Sequence, residues 1–356
     1  MKIITILGAR PQFVKAATVS REFKKLGIYE LIVHTGQHFD HAMSQVFFDE
    51  MEIPHPHYNL EISGLNHGAM TGRMLEKIEE VLVKEKPDYV LVYGDTNSTL
   101  AGALAAAKLH IPVVHVEAGL RSFDMKMPEE INRILTDRIS KILFCPTVTA
   151  TKNLAREGFT DFDCKVVMSG DVMLDSVRYY QSKIETHATV MQTQQLDGNP
   201  FVLATLHRAE NTNDPIRLKA ICEALNEISK EIKIVLPLHP RTKAFLISQQ
   251  IELHAHLIEP VGYFDMLALL KNCKMVMTDS GGLQKEAYFF EKFCITLRDQ
   301  TEWVELVEAG ANVLVGANTV DIVAQFKNNY NRKIKITQGL YGDGHAAEKI
   351  VRHLQN

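Results

Sequence analysis

The stretch that decides the fold is YVLVYGDTNSTLAGALAAAKLHIPVVHVEAG, residues 89–119. Two short apolar runs, YVLVY and PVVHV, enclose an alanine-rich segment with the length of a helix. Apolar strands joined through helices are typical of parallel sheets that are covered on both faces. The same alternation extends from IITIL at residues 3–7 to FCITL at residues 293–297. We therefore predict an α/β fold.

A change in composition divides the chain, whose 356 residues suffice for about two domains. The segment SKIETHATVMQTQQLDGNP, residues 182–200, is polar and lacks periodicity, which is typical of a surface connection. Strands and helices alternate again after it. We predict two doubly wound Rossmann-like domains, residues 1–170 and 171–339, with a cleft between facing strand ends.

Composition and charge exclude several classes of protein. The formal net charge of −4 argues against a nucleic-acid partner, which needs a broad basic face. Five scattered cysteines without a CxxC pair are typical of reduced thiols in a cytoplasmic protein. The first residues form a strand rather than a signal peptide, and no apolar run approaches the roughly 18 residues of a membrane helix. The fifteen histidines contain no HExxH pattern, so we predict no metal.

The motif GARPQFVK places Arg10 and Lys15 at the turn between the first strand and the following helix. Free amides and the helix dipole favour an anion at such a turn. The motif is neither GxGxxG nor a P-loop, which argues against a dinucleotide or a P-loop nucleotide site. The alternative is an ordinary turn with a solvated arginine and lysine.

The motif TDSGGLQKEA forms a second turn of this kind, in the other half of the chain. Gly281 and Gly282 permit close backbone approach, and the Ser280 hydroxyl with nearby amides suits a diphosphate. Glu286 lies one helical turn further on, where a carboxylate accepts bonds from ribose hydroxyls. The alternative is a helix start capped by serine or aspartate. Two such turns together favour a nucleotide diphosphate.

Three titratable residues follow apolar strands. Asp95 ends one strand, where capping the next helix is the alternative role, and Glu117 holds the same position after the next strand. His207 ends the first strand of the second half, where it offers a proton donor near neutral pH. The alternative for His207 is a packed or solvent-facing side chain.

The helix that begins with PEEINR carries two acidic residues in its first turn. Acidic residues are ordinary there, so Glu130 is expected at the surface and Glu129 is a candidate only in combination with other groups. Arg133, four residues after Glu129, has pairing with that carboxylate as its simplest role.

In this order, GARPQFVK, GDTNST, HVEAGLRS, MPEEINR, LHRAEN and TDSGGLQKEA resemble the motifs of the non-hydrolysing UDP-N-acetylglucosamine 2-epimerases. The resemblance runs essentially from end to end. It implies the two-domain fold shared with GT-B glycosyltransferases, with a C-terminal helix in residues 340–356 packing back on the first domain. It also implies a homodimer that needs no cofactor and acts on a UDP-sugar for surface polysaccharide such as the lipopolysaccharide O-antigen.

The resemblance also assigns functional positions. The family's catalytic positions fall on Asp95, Glu117, Glu129 and His207. Its positions for the nucleotide sugar fall on Arg10, Lys15, Arg133, Ser280, Gly281, Gly282 and Glu286, and its base-lining positions fall on Val261 and Met266.

Three features depart from the common family pattern. An aromatic residue is usual at Met266, and Trp303 replaces an arginine that contacts the nucleotide sugar. The loop before PEE is two residues shorter than in the common bacterial enzymes. The tryptophan and the shorter loop, together with RPQFVKA and LHRAENT, resemble a branch that acts on UDP-2,3-diacetamido-2,3-dideoxy-glucuronate. We therefore expect either this uronate or UDP-N-acetylglucosamine as the substrate.

The C2 proton of such a sugar is not α to a carbonyl, so a base alone does not remove it readily. The resemblance implies anti-elimination of UDP to a 2-acetamidoglycal, followed by re-addition with protonation on the other face. This route needs donors for the leaving diphosphate and carboxylates for the proton. A hydrolysing 2-epimerase, a GT-B glycosyltransferase and a non-catalytic nucleotide-sugar sensor are the alternatives.

Overall fold

The computed structural model describes residues 1–37 and 48–355. They form two compact units, Met1–Arg178 with Gln338–Asn356, and Tyr179–Thr337. Each unit contains its own parallel sheet with helices packed on it. The predicted α/β class with two doubly wound sheets is confirmed. The division between the units lies within a helix, Val172–Gln181, just after the expected boundary at residue 170.

Strands and helices alternate along the described chain. The strands are β1 (Lys2–Leu7), β2 (Tyr29–His34), β3 (Tyr58–Asn59), β4 (Tyr89–Tyr93), β5 (Val113–Val116), β6 (Ile142–Cys145), β7 (Lys165–Met168), β8 (Phe201–Thr205), β9 (Lys233–Pro237), β10 (His256–Ile258), β11 (Met275–Thr278), β12 (Cys294–Thr296) and β13 (Asn312–Leu314). The helices are α1 (Arg10–Lys25), α2 (His67–Glu85), α3 (Asn97–Lys108), α4 (Pro128–Ile139), α5 (Val148–Arg156), α6 (Val172–Gln181), α7 (Ile184–His187), α8 (Val190–Thr193), α9 (Ala209–Thr212), α10 (Pro215–Ser229), α11 (Pro240–Ser248), α12 (Tyr263–Asn272), α13 (Gly281–Phe289), α14 (Val304–Glu308), α15 (Thr319–Asn329) and α16 (Ala346–Gln355), with a 3₁₀ turn at Phe159–Asp161.

Each sheet reverses its winding direction once. The first has the strand order β3-β2-β1-β4-β5-β6-β7, so the reversal lies between β1 and β4. The second has the order β10-β9-β8-β11-β12-β13, with the reversal between β8 and β11. All neighbouring strands are parallel. Open α/β sheets bind ligands outside the carboxyl ends of the strands at such switch points.

The core of the first unit forms around residues 89–119. Strands β4 and β5 are almost wholly buried, and the small side chains of α3 let this helix lie close to the sheet. A Cβ added at Gly102 would lie 2.9 Å from Cγ1 of Ile6, so a larger residue would push the helix away. The position of α3 in turn sets where the turn after β4 begins.

Two segments differ from the sequence analysis. Helix α2 was not anticipated, although Met74, Ile78 and Leu82 repeat every four residues and are buried. The segment 182–200 is more than the predicted surface connection, because it contains α7 and α8, which pack on α12. Its isolated apolar residues are too widely spaced to show periodicity, yet Leu196 is fully buried.

Helix α16 packs on α1 and so belongs to the first unit. Within residues 1–37 and 48–355, no helix has both the length and the apolar character needed to span a bilayer.

Candidate functional site

The predicted site residues lie at the carboxyl ends of the central strands of both sheets. In the first unit Arg10 follows β1, Asp95 follows β4 and Glu117 follows β5. In the second unit His207 follows β8 and Ser280 follows β11. Each set therefore lies at the switch point of its own sheet or next to it. This is the edge at which a doubly wound sheet holds ligands.

Lys15 and Glu117 form a buried ion pair in the first unit. Lys15 Nζ contacts Glu117 Oε1, and the two side chains are only 9% and 6% exposed. Glu117 has φ +75°, a left-handed conformation that is uncommon for a residue with a side chain and costs about 1 kcal/mol or more. A Cβ at Gly94 would lie 3.1 Å from Lys15 Nζ, so the turn after β4 passes directly against this pair.

Arg133 joins two carboxylates. Its Nη2 donates to Oδ2 of Asp95, and its Nη1 donates to Oε2 of Glu130 at 2.8 Å. The guanidinium side chain is 2% exposed, whereas that of Asp95 keeps 26% of its surface. Asp95 does not cap α3, because the Thr96 side chain accepts the bond from the amide of Thr99 at 3.2 Å. The Asp95 side chain is thus oriented by Arg133.

The expectation that Glu130 lies at the surface is wrong. Glu130 is fully buried, and its carboxylate accepts bonds from the amide of Ser122 at 3.0 Å and from that of Phe123 at 2.9 Å. The loop before α4 folds over this carboxylate. Because Arg133 binds both Glu130 and Asp95, the loop is linked through Glu130 to the same arginine as Asp95. Its neighbour Glu129 is only partly buried. The sequence suggested a surface role because it does not show how the preceding loop folds.

Gln12 organises the turn after β1, and the sequence analysis did not select it. Its Oε1 accepts from the amides of Gly8 at 2.8 Å and Ala9 at 3.0 Å, while its Nε2 donates to the carbonyl of Tyr93 at 2.9 Å. These two amides are therefore engaged within the protein.

Asp279 organises the second switch point. It is fully buried and accepts from the amide of Arg208 at 2.9 Å, and its Oδ1 lies 3.3 Å from Nδ1 of His207. His207 keeps 54% of its side chain exposed. Ser280 caps α13, because its Oγ accepts from the amide of Leu283 at 3.4 Å. A Cβ added at Gly282 would meet no described atom within 4 Å.

No group of three histidine, cysteine, aspartate or glutamate side chains among the described residues is placed to hold a metal ion.

A family model described as UDP-N-acetylglucosamine 2-epimerase matches residues 21–355. The chain belongs to this 2-epimerase family. The family expected from the motifs is therefore confirmed, as are the enzyme class, isomerase, and the general activity, 2-epimerisation of a UDP-sugar.

Individual relatives agree with this assignment. The UDP-2,3-diacetamido-2,3-dideoxy-D-glucuronate 2-epimerase of Pseudomonas aeruginosa is 56% identical over 99% of this chain and 99% of its own. A crystal structure of the Methanocaldococcus jannaschii UDP-GlcNAc 2-epimerase with UDP-GlcNAc and UDP is 44% identical, covers 100% of this chain and 99% of its own, and has a TM-score of 0.94. The Neisseria meningitidis UDP-GlcNAc 2-epimerase bound to UDP-GlcNAc is 33% identical, covers 100% of both chains, and has a TM-score of 0.91.

Two residues that depart from the 2-epimerase pattern are buried in the second unit. Trp303 is 2% exposed, and Lys285 Nζ lies 3.9 Å from the centroid of its indole ring. Met266 is 8% exposed within α12, whereas Val261 is partly exposed just before that helix. Glu286 is buried in α13. Trp303 thus packs against α13, the helix that begins at the TDSGG turn.

Proposed function

We propose that this chain is a non-hydrolysing epimerase that inverts C2 of a UDP-2-acetamido sugar. The observation that carries the proposal is the pair of carboxylates at the first switch point, Asp95 and Glu117, each held by a basic side chain. Simple binding of a nucleotide sugar does not require two buried or half-buried carboxylates at adjacent strand ends. Proton transfer at a carbon atom does.

The reaction proceeds by elimination and re-addition. The C1–O bond to the diphosphate breaks, the electron pair leaves with UDP, and a carboxylate takes the C2 proton. The C1–C2 double bond of the 2-acetamidoglycal forms in this step. UDP then adds back to C1 while a proton is delivered to the opposite face of C2, which gives the manno epimer with no net change in composition.

We assign proton transfer to the first unit. Asp95, Glu117 and Glu129 supply the carboxylates for the two faces of C2, and general acid or base groups of this kind each contribute about 10²–10⁴-fold to the rate. Arg133 orients Asp95, and Lys15 orients Glu117.

We assign the nucleotide to the second unit. In its imidazolium form, whose Nδ1 faces Asp279, His207 can donate from Nε2 to the leaving diphosphate. The amides at the start of α13 add to the stabilisation of this negative charge, and Arg10 stays an expected contact of the nucleotide sugar. The remaining expected nucleotide contacts are Ser280, Gly281, Gly282, Glu286, Val261 and Met266.

The substrate we propose is UDP-2,3-diacetamido-2,3-dideoxy-glucuronate, with UDP-N-acetylglucosamine as the second candidate. The identity of 56% to an enzyme named for the uronate supports the first, and the relatives named for UDP-GlcNAc at 45% identity and below support the second. A homodimer in the cytoplasm that supplies polysaccharide synthesis, for example of O-antigen, belongs to the same proposal. The five thiols are all free, as a reducing compartment requires.

The test is to incubate the protein with each UDP-sugar separately and follow proton and phosphorus NMR spectra. The expected result is a mixture of gluco and manno epimers with the diphosphate still attached, reached faster with the uronate. Release of free UDP and free sugar would instead indicate a hydrolysing epimerase. Both sugars unchanged until an acceptor is added would indicate a glycosyltransferase.

A further inference from the structure

His115 lies at the centre of a fully buried polar cluster in the first unit. Its Nδ1 is 2.7 Å from Oδ1 of Asp137, and its Nε2 is 2.7 Å from the carbonyl oxygen of Gly94. The other oxygen of Asp137 accepts from Nη1 of Arg121 at 2.7 Å and from the amide of Gly119 at 3.1 Å. His115, Asp137 and Arg121 are 0–2% exposed.

These contacts give one hydrogen bond of the histidine a fixed direction. A backbone carbonyl only accepts hydrogen bonds, so Nε2 carries a proton and donates to Gly94. Asp137 faces the other ring nitrogen. Burial acts to raise the pKa of Asp137, but its interactions with His115 and Arg121 outweigh burial and lower that pKa.

The groups packed around the histidine hold Asp137 in place. Arg121 also binds both oxygens of Glu157, at 2.6 and 2.7 Å, so its charge is shared between two carboxylates. Strand β6 places Cys145 near Asp137, where burial and then the charge of Asp137 raise the pKa of the thiol.

The bond from His115 to Gly94 connects the cluster to the candidate site. Gly94 has φ +63°, and its amide donates to the carbonyl of Val116 at 3.0 Å. Gly94 is thereby held at both its N–H and its carbonyl oxygen, and the held carbonyl belongs to the peptide group that leads into Asp95. An added Cβ at Gly94 would also lie 3.4 Å from Oε1 of Glu117. A small shift of this peptide would therefore move Asp95 relative to Glu117.

We infer that His115 is a positioning residue that, through the Gly94 carbonyl, holds Asp95 in register with Glu117. The inference rests on the proposed function, because it gives these two carboxylates their importance. His115 itself contacts no reacting atom. Asp137 serves both turns, since it also binds the amide of Gly119 behind Glu117.

Two variants separate the two hydrogen bonds. In His115→Gln the side-chain amide nitrogen occupies the place of Nε2 and keeps the bond to Gly94. In His115→Asn it occupies the place of Nδ1 and keeps the bond to Asp137. Thermal unfolding identifies a temperature at which both are folded. We expect kcat to fall by about 10²-fold in the asparagine variant, as for a reacting group displaced by about 1 Å, and by about tenfold in the glutamine variant, with KM unchanged in both.

The same fall in kcat in both variants would overturn the positioning role. A fall in kcat that depends only on how stable each variant is to heat would overturn it as well. It would leave the proposed epimerase function intact, because the wild-type protein would still be active. Failure of the proposed function is recognised differently, by a wild-type protein that leaves both UDP-sugars unchanged.

Discussion

Arg133 donates from Nη2 to the carboxylate of Asp95, two residues after the end of β4. The same guanidinium holds the buried carboxylate of Glu130 at 2.8 Å. One side chain on α4 thus orients a candidate proton-transfer group and also compensates a charge in the interior. Catalysis and stability are therefore coupled at this residue.

Replacing Arg133 with glutamine should lower both activity and stability. We expect kcat to fall by about 10²-fold, because Asp95 loses its orientation. The free energy of unfolding should fall by about 3 kcal/mol, because Glu130 is left buried without its cation. Steady-state kinetics and urea unfolding measure the two effects. The control is Arg138→Gln on the same helix, whose exposed side chain stacks 4.4 Å from the ring centroid of Phe162. Full activity in folded Arg133→Gln would contradict the role given to this arginine.

The neighbouring carboxylates Glu129 and Glu130 should respond in opposite ways to the same change. Glu130→Gln turns an amide group toward the N–H donors of Ser122 and Phe123, so the free energy of unfolding should fall by about 1–3 kcal/mol. Glu129→Gln should leave stability unchanged but lower kcat by about 10²–10⁴-fold, as loss of a general acid or base does. Urea unfolding and turnover measured on both proteins check this. The account fails here if Glu129→Gln is fully active.

The Lys15–Glu117 pair should show strong coupling in stability. Lys15→Met leaves the buried Glu117 carboxylate without its cation, which typically costs about 3–5 kcal/mol. In Lys15→Met/Glu117→Gln both charges are gone, so we expect this double variant to be more stable than Lys15→Met alone, although inactive. Urea unfolding of the wild type, both single variants and the double variant measures the coupling energy. Additive losses would show that the pair does not interact as the structure indicates.

Glu30 should make stability depend on pH. Burial raises its pKa from 4.5 to about 7, against the opposing hydrogen bond from Thr5. In the folded protein the carboxyl group therefore keeps its proton up to about pH 7, whereas the unfolded chain releases it near pH 4.5. The contribution of this proton to the free energy of unfolding is fully present below pH 4.5 and is lost as the pH rises through 7. A shift of this size corresponds to about 3 kcal/mol.

The measurement compares urea unfolding at about pH 5 and about pH 8 in the wild type and in Glu30→Gln, over the range in which the carboxyl group titrates. We expect the wild type to lose more stability than the variant between the two values. The control is Glu76→Gln, an exposed carboxylate on α2. Identical losses in the wild type and Glu30→Gln would show that Glu30 does not titrate in this range.

The positions of the candidate groups could be predicted because strand ends can be recognised in the sequence. Apolar runs stop at Asp95, Glu117 and His207, and parallel strands bring their carboxyl ends to one edge of a sheet. The partners of these groups could not be predicted. Arg133 was expected beside Glu129, yet it reaches Asp95 on another element, because α4 packs on α3 and contacts β5.

Buried charge was the other feature that the sequence did not reveal. Glu130 has the sequence context of a surface residue, and His115 lies inside an apolar strand. His115 finds its carboxylate partner at Asp137, 22 residues further on. Such pairing depends on how two elements pack, which local patterns do not record. Helix α2, by contrast, has an apolar residue at every fourth position, a helical pattern that is present in the sequence but was not among the predicted helices.

We propose that this chain exchanges the proton at C2 of a UDP-2-acetamido sugar, and that the sugar still carries UDP once equilibrium is reached. The most direct measurement is incubation with UDP-2,3-diacetamido-2,3-dideoxy-glucuronate and with UDP-N-acetylglucosamine in D₂O, followed by NMR at C2. We expect the manno epimer to form with deuterium at C2. The rate of deuterium incorporation should fall by at least about 10²-fold in Asp95→Asn and in Glu117→Gln. Inversion with the original proton retained at C2, or full incorporation by both folded variants, would contradict it.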